Sequence, residues 1–134
     1  MRHAEREYPH ECCGLLIGRF SDEDGKSVAE AYPVCNSGEP TERGSRFLIT
    51  AEELRLAGAL ARRFGLDIVG FYHSHPDHPA QWSPTDFEEA HWLGCCYVIT
   101  SVAQGKAAVT NSFFLAGQRE EEKQFEPQTI EVID

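Results

Sequence analysis

Apolar and polar positions along this chain switch between a period near two and a period near 3.6, and the switches mark its elements. Residues 2–8 (RHAEREY) read as the end of a helix stopped by Pro9, with so little chain before them that the helix is expected to be cut short. The run from Glu11 to Phe20 is apolar, interrupted by glycines and followed by the turn-forming 21–25 (SDEDG), which predicts a buried strand. Residues 28–35 follow as its antiparallel neighbour across that acidic turn. Residues 36–44 (NSGEPTERG) read as a loop and 47–49 as a short strand. Thr50 and Glu53 then form a capping box, and Leu54, Ala57, Leu60, Ala61 and Phe64 recur at helical spacing up to Gly65. An amphipathic helix is predicted over 51–64.

Residues 66–73 return to an apolar strand pattern that delivers His73 at its C-terminal end, and 76–82 form a loop stiffened by two prolines. Ser83 as N-cap, Pro84 at the first helical position and Asp86 at the third open another helix, expected to end at Gly94. Residues 95–102 and 108–115 predict two strands joined across 103–106. The charged stretch 118–128 is expected to be mobile, and 129–133 to add a last edge strand. With no internal repeat and no second domain, the pattern is that of one α/β (α+β) domain over residues 1–134.

Composition narrows the partners. A chain of 134 residues, 41% hydrophobic and 25% charged, is long enough to bury a core without disulfides. A net charge of −10 argues against nucleic acid or an anionic membrane surface as the main partner, since either polyanion is repelled at long range. No run approaches the length of a membrane span and the start lacks a signal-peptide pattern, so a cytoplasmic location is expected. The five cysteines, Cys12, Cys13, Cys35, Cys95 and Cys96, are odd in number and include two adjacent pairs, a poor disulfide framework. They read as reduced, buried small hydrophobes, with a second metal site as the minor reading.

The candidate chemistry gathers at His73-Ser74-His75-Pro76 and Ser83-Pro84-Thr85-Asp86. Two histidines two residues apart in an extended segment project from one side, so both imidazoles reach a single ion, and a carboxylate from the next element supplies a third ligand. Three protein ligands leave a fourth position for water, which separates a catalytic zinc from a closed structural one. Such a water needs a base and a group to steady the oxyanion formed on the attacked carbonyl. Glu11, at the entry to an apolar strand that raises a carboxylate pKa, is the candidate base; Glu5 and Glu7 lie in a more solvated helix. Ser83 accepts from the helix N-terminus through a lone pair while its proton stays available to an oxyanion.

Glu11, His73-Ser74-His75-Pro76, Ser83 and Asp86 together resemble the JAMM motif of the MPN+ zinc metalloproteases, a remote glutamate followed by H-x-H-x7-S-x-x-D. The run from Glu11 to Gly18 also resembles the family's glutamate-bearing strand, and the similarity to stand-alone bacterial members spans nearly the whole chain. The resemblance implies a curved, mainly antiparallel sheet packed between helices, the MPN (JAB/MPN-like, cytidine-deaminase-like) fold. It implies one catalytic Zn2+ held by His73, His75 and Asp86, with Glu11 activating the water and Ser83 stabilising the tetrahedral intermediate. It further implies hydrolysis after the C-terminal glycine of a small ubiquitin-fold sulfur-carrier protein, held by its C-terminal tail. The shortened N-terminus and the lack of room for long insertions depart from the pattern, and the second departure favours a small carrier over a polyubiquitin chain.

Simpler readings stand beside these. The histidines could be a metal-free hydrogen-bonded pair, Glu11 a surface carboxylate, and Ser83 only an N-cap. His3, His10 and His91 show no partner pattern, His78 reads as solvated or substrate-facing, and Trp82 as a packing residue or part of a tail-binding groove. The rival function is a zinc-binding MPN interaction scaffold without peptidase activity.

Overall fold

Six strands in the order β2-β1-β3-β4-β5-β6 form one sheet in the computed structural model, which describes residues 2–8, 12–20, 26–34 and 51–130. The elements in chain order are α1 (Arg2–Glu7), β1 (Cys13–Phe20), β2 (Lys26–Val34), α2 (Ala51–Arg63), β3 (Asp67–Pro76), α3 (Pro84–Glu89), β4 (Cys96–Ala103), β5 (Lys106–Ala116), a 3-10 turn (Glu120–Glu122) and β6 (Gln124–Gln128). All neighbours are antiparallel except β3 and β4, which run parallel. The mainly antiparallel α+β sheet expected from the sequence is therefore present. The expectations for Glu11, Cys35, the turn at 21–25, the loop at 36–44, the strand at 47–49 and the cap at Thr50 lie outside the described residues.

The sheet buries both faces. Leu15 and Ile17 of β1, Phe71 of β3, Tyr97 of β4 and Leu115 of β5 meet Ala57 and Ala61 of α2 on one face. Leu16, Val69, Tyr72, Cys96 and Val102 meet Ala4 of α1 on the other. Strand residues alternate between faces, which is why adjacent cysteines divide: Cys13 and Cys95 join the first cluster, Cys12 and Cys96 the second. A side chain at Gly14, paired with Tyr72, would collide with the tyrosine ring that covers it. Both sheet edges carry a proline, Pro33 in β2 and Pro127 in β6, where a missing N–H costs no ladder bond.

Several boundaries differ from expectation. α2 ends at Arg63 in a Schellman turn, with Leu66 N–H donating to Ala61 O and Gly65 N–H to Arg62 O around Gly65 at φ 71°. Phe64 leaves the helical face there, so it and Leu60 are exposed and the buried stripe is Leu54, Ala57 and Ala61. β3 runs on to Pro76 because its parallel ladder with β4 continues to the pair Pro76 and Val102. α3 stops at Glu89, not Gly94: Ala90 is buried and extended, and Trp92 N–H donates to the Tyr97 hydroxyl while the Trp92 ring meets Phe71 edge-on. A strand forms at residues 124–128, anchored by Phe125 among Trp82, Phe87, Tyr97 and Phe113, where a mobile stretch was expected; the edge strand expected at 129–133 lies largely outside the described residues. Among the described residues no helix is long and apolar enough to cross a membrane.

Candidate metal centre

β3 and the first turn of α3 bring His73, His75 and Asp86 together. Because β3 remains extended through Pro76, both imidazoles project from one face, with ring centroids 4.9 Å apart. Ser74 between them points to the opposite face, fully buried, where its Oγ accepts from Cys12 N–H at 2.8 Å. Ser74 N–H donates in turn to Cys12 O at 3.1 Å. The segment that enters β1 is thus tied to the strand position between the two histidines.

Ser-Pro-x-Asp builds the other half. Ser83 caps α3: its Oγ accepts from Asp86 N–H at 3.1 Å, and its own N–H donates to Asp86 Oδ2 at 2.9 Å, a reciprocal capping box. The box fixes the Asp86 rotamer so that Oδ2 lies 3.1 Å from His75 Nε2 and Oδ1 lies 3.3 Å from His73 Nε2. The two Nε2 atoms are 3.1 Å apart. The Ser83 hydroxyl, using a lone pair for the cap, keeps its proton available for donation.

The donor set fits a metal ion. Ligands of a four-coordinate ion at about 2.0–2.2 Å lie roughly 3.3 Å from one another when tetrahedral; here the two Nε2 atoms are 3.1 Å apart, and each lies 3.1 to 3.3 Å from a different oxygen of the Asp86 carboxylate. His75 Nδ1 lies 2.9 Å from Pro79 O. A carbonyl only accepts, so Nδ1 carries the proton and the neutral ring presents a lone pair at Nε2. That lone pair faces a carboxylate oxygen, an arrangement that requires a cation between them or a proton on the ring. Burial pushes the Asp86 carboxyl up, but the adjoining His73 and His75 rings, when protonated, and the Ser83 N–H outweigh it and hold Asp86 well below the usual carboxylate range. Asp86 is therefore an anion throughout the neutral range. Among the described residues these three are the group of His, Cys, Asp and Glu side chains close enough to hold one ion.

Sequence reasoning missed what holds the loop after β3. Asp77 adopts a left-handed φ of 55° directly after Pro76, with its N–H donating to Val102 O. Its carboxylate accepts from Gln104 N–H at 2.7 Å and from the Tyr8 hydroxyl at 2.6 Å. Asn111 Nδ2 donates to Ala80 O at 2.9 Å, next to the Pro79 carbonyl that orients His75. The only sequence signal for this was the proline content of the loop.

Glu11 lies outside the described residues; its neighbour Cys12 is the one bonded to Ser74. His78 is exposed, and His91, expected to lack a partner, pairs with Glu120 at 3.0 Å. Trp82 packs with tilted rings against Phe87 and Phe125 yet stays 40% exposed beside Ser83. Cys12, Cys13, Cys95 and Cys96 are buried, as expected. A cleft of about 360 Å³ lies between α2 and Trp92 at the start of β3. It contains none of the candidate residues and sits six residues, roughly 20 Å of strand, from His73, so the convergent ligand geometry outweighs the cleft as a guide to chemistry.

The model of a family described as prokaryotic homologs of the JAB domain matches residues 1–116. The chain is 42% identical over 94 residues to a desampylase of Haloferax volcanii, covering 69% of this chain and 63% of that protein. It is 36% identical over 90 residues to a probable TtuB-protein conjugate cleaving protease of Thermus thermophilus, covering 67% and 55%. The chain thus spans less than two thirds of the length of these curated relatives. A solution structure of a Salinibacter ruber protein superposes with a TM-score of 0.67 at 42% identity, covering 92% of this chain and 80% of that one.

Proposed function

This chain belongs to the prokaryotic homologs of the JAB domain, and from that membership we propose that it is a zinc-dependent peptidase. Its substrate on this reading is a small ubiquitin-fold protein of the sulfur-carrier kind, cleaved at the peptide or isopeptide bond after the carrier's C-terminal glycine, and its location is cytoplasmic. The observation that carries the proposal is the convergence of His73 Nε2, His75 Nε2 and the Asp86 carboxylate, each imidazole nitrogen lying 3.1 to 3.3 Å from the other and from one carboxylate oxygen. The names of the two relatives, a desampylase and a probable conjugate cleaving protease, support the substrate class.

His73, His75 and Asp86 would hold zinc. When bound, zinc supplies Lewis acidity that brings the pKa of a water to about 7. Everything else falls to the chain. Glu11 takes the proton from the attacking water and returns it to the amine that leaves, so the proton count closes within one residue. Its support is covalent: Glu11 directly precedes Cys12, which is bonded to Ser74 between the two histidine ligands. Ser83 donates its hydroxyl proton to the oxygen of the attacked carbonyl while its lone pair caps α3. Pro79 O keeps His75 in the tautomer that offers Nε2. The substrate tail, held as an added strand, pairs its main chain with a sheet edge.

Intact-mass spectrometry tests the reading. Zinc-loaded protein is incubated with ubiquitin-fold carriers bearing short C-terminal extensions, alongside Glu11→Gln. Loss of the extension with the wild type alone is the expected result. Unchanged masses with zinc demonstrably bound would replace the peptidase with the interaction scaffold.

A further inference from the structure

The family match ends at residue 116, yet the chain beyond it returns to α3, the helix that carries Asp86. Lys123, following the turn at Glu120–Glu122, has a side chain only 9% exposed. Its ammonium donates to Ala90 O at 3.0 Å and Glu88 O at 3.3 Å, and pairs with Glu120 Oε1 at 2.8 Å. Three acceptors match its three protons. The same ammonium lies 4.9 Å above the Phe87 ring.

These contacts fall on the end of α3 that the site does not use. The last carbonyls of a helix have no partner within it, and a cation is the complement to that terminus. At six residues α3 is too short to hold its own shape in water. Its N-terminal turn carries Ser83 and Asp86, and its C-terminal end is gripped by Lys123. Phe87, the residue after Asp86, is wedged against Phe125 of β6 and against Trp82, with centroids 5.5 and 5.4 Å away. Any tilt of α3 that moved Asp86 away from His73 and His75 would have to break the Lys123 bonds or slide Phe87 across Phe125.

We propose that Lys123 is a positioning residue for Asp86, part of a clamp that the segment beyond the family match supplies to the metal centre. The proposal rests on reading Asp86 as a zinc ligand.

The test uses the full chain as Lys123→Met, which keeps the apolar stem and loses the charge and donors, and as Lys123→Arg, which restores both. Zinc affinity is measured by competition with a chromophoric chelator at a temperature where every variant is fully folded. Visible spectra of the cobalt-substituted proteins report ligand geometry. Lys123→Met is expected to bind zinc about tenfold more weakly, as outer-shell changes do, with altered cobalt bands, and Lys123→Arg to recover to within about twofold of the wild type. A merely structural lysine would lower Tm and leave affinity and spectrum unchanged, which overturns the proposal, as does an arginine variant no better than the methionine one. If Lys123→Met does not fold, Lys123→Gln carries the same comparison with two donors retained. A wild type that binds no zinc removes the metal reading and this proposal with it, whereas a zinc-binding wild type matched by Lys123→Met removes the clamp alone.

Discussion

Ser83 holds two positions at once, and they separate by substitution. As N-cap it accepts from Asp86 N–H, and as proposed oxyanion donor it uses its hydroxyl proton. Replacing an N-cap serine by glycine costs only a few tenths of a kcal/mol, whereas alanine costs about 1. Losing an oxyanion donor costs about 10²–10³ in turnover. Ser83→Gly is therefore expected to melt close to the wild type and to cleave about a hundredfold or more slowly, read by thermal denaturation beside a mass-spectrometric time course. A pure cap would show the reverse balance in Ser83→Ala, with lowered Tm and near-normal turnover. The base and the metal ligands divide as sharply. Glu11→Gln is expected to retain stoichiometric zinc and lose about 10²–10⁴ in rate, and His75→Ala to lose zinc, both read by metal analysis after dialysis. Zinc loss in Glu11→Gln would contradict its role as base. The grouping of His73, His75 and Asp86 beside Ser83 was legible because its geometry is local: His-x-His needs only an extended strand and Ser-Pro-x-Asp only a helix start, and both are present. The Asp77 and Asn111 contacts were not legible, since each joins the loop to a turn or a strand about thirty residues away in sequence.

At the scale of elements, α1 and the exit from β3 are joined by the bond between Tyr8 and Asp77, two residues 69 apart in sequence. That bond and the Gln104 N–H hold the Asp77 carboxyl below its usual range, and the same bond raises the Tyr8 hydroxyl. A carboxylate whose pKa is depressed on folding stabilises the protein above its unfolded value, near 3.9, and loses that contribution as pH falls through the folded value. Tyr8→Phe is accordingly expected to lower Tm at neutral pH, with the gap to the wild type narrowing below about pH 4, followed by circular dichroism melts across pH 3–7. A constant gap would mean that Tyr8 acts by packing alone. Element boundaries show where local pattern loses to tertiary contact. The stop of α2 was readable from Gly65, because a Schellman turn is written within six residues. The stop of α3 was not, because Ala90 is drawn into the core and Trp92 onto Phe71 and Tyr97. Residues 118–128 looked mobile from charge alone, but one phenylalanine seated among four aromatic rings orders a strand there.

Across the whole molecule the cysteines report on how firmly the two faces of the sheet are closed. Cys12 and Cys96 lie in the cluster beneath α1, Cys13 and Cys95 in the cluster beneath α2, and none is more than 5% exposed. The Cys95 and Cys96 thiols donate to Ile68 O and Val69 O, which binds β4 to the start of β3 through side chains as well as the ladder. Burial pushes the Cys95 thiol up to about 12, so at pH 8 only about one part in ten thousand is thiolate, against roughly a quarter for an ordinary cysteine. Direct attack on a thiol reagent is then suppressed both by access and by ionisation, and labelling has to pass through opening of the sheet. In a Cys35→Ser background, which leaves these four thiols as reporters, native protein at pH 8 is expected to react with a disulfide reagent at a rate that rises with urea from the lowest concentrations, with the slope of global unfolding. Cys12 and Cys96 reacting ahead of Cys13 and Cys95 would show instead that the six-residue α1 lifts from its face independently, and that the Tyr8 bond does not hold it.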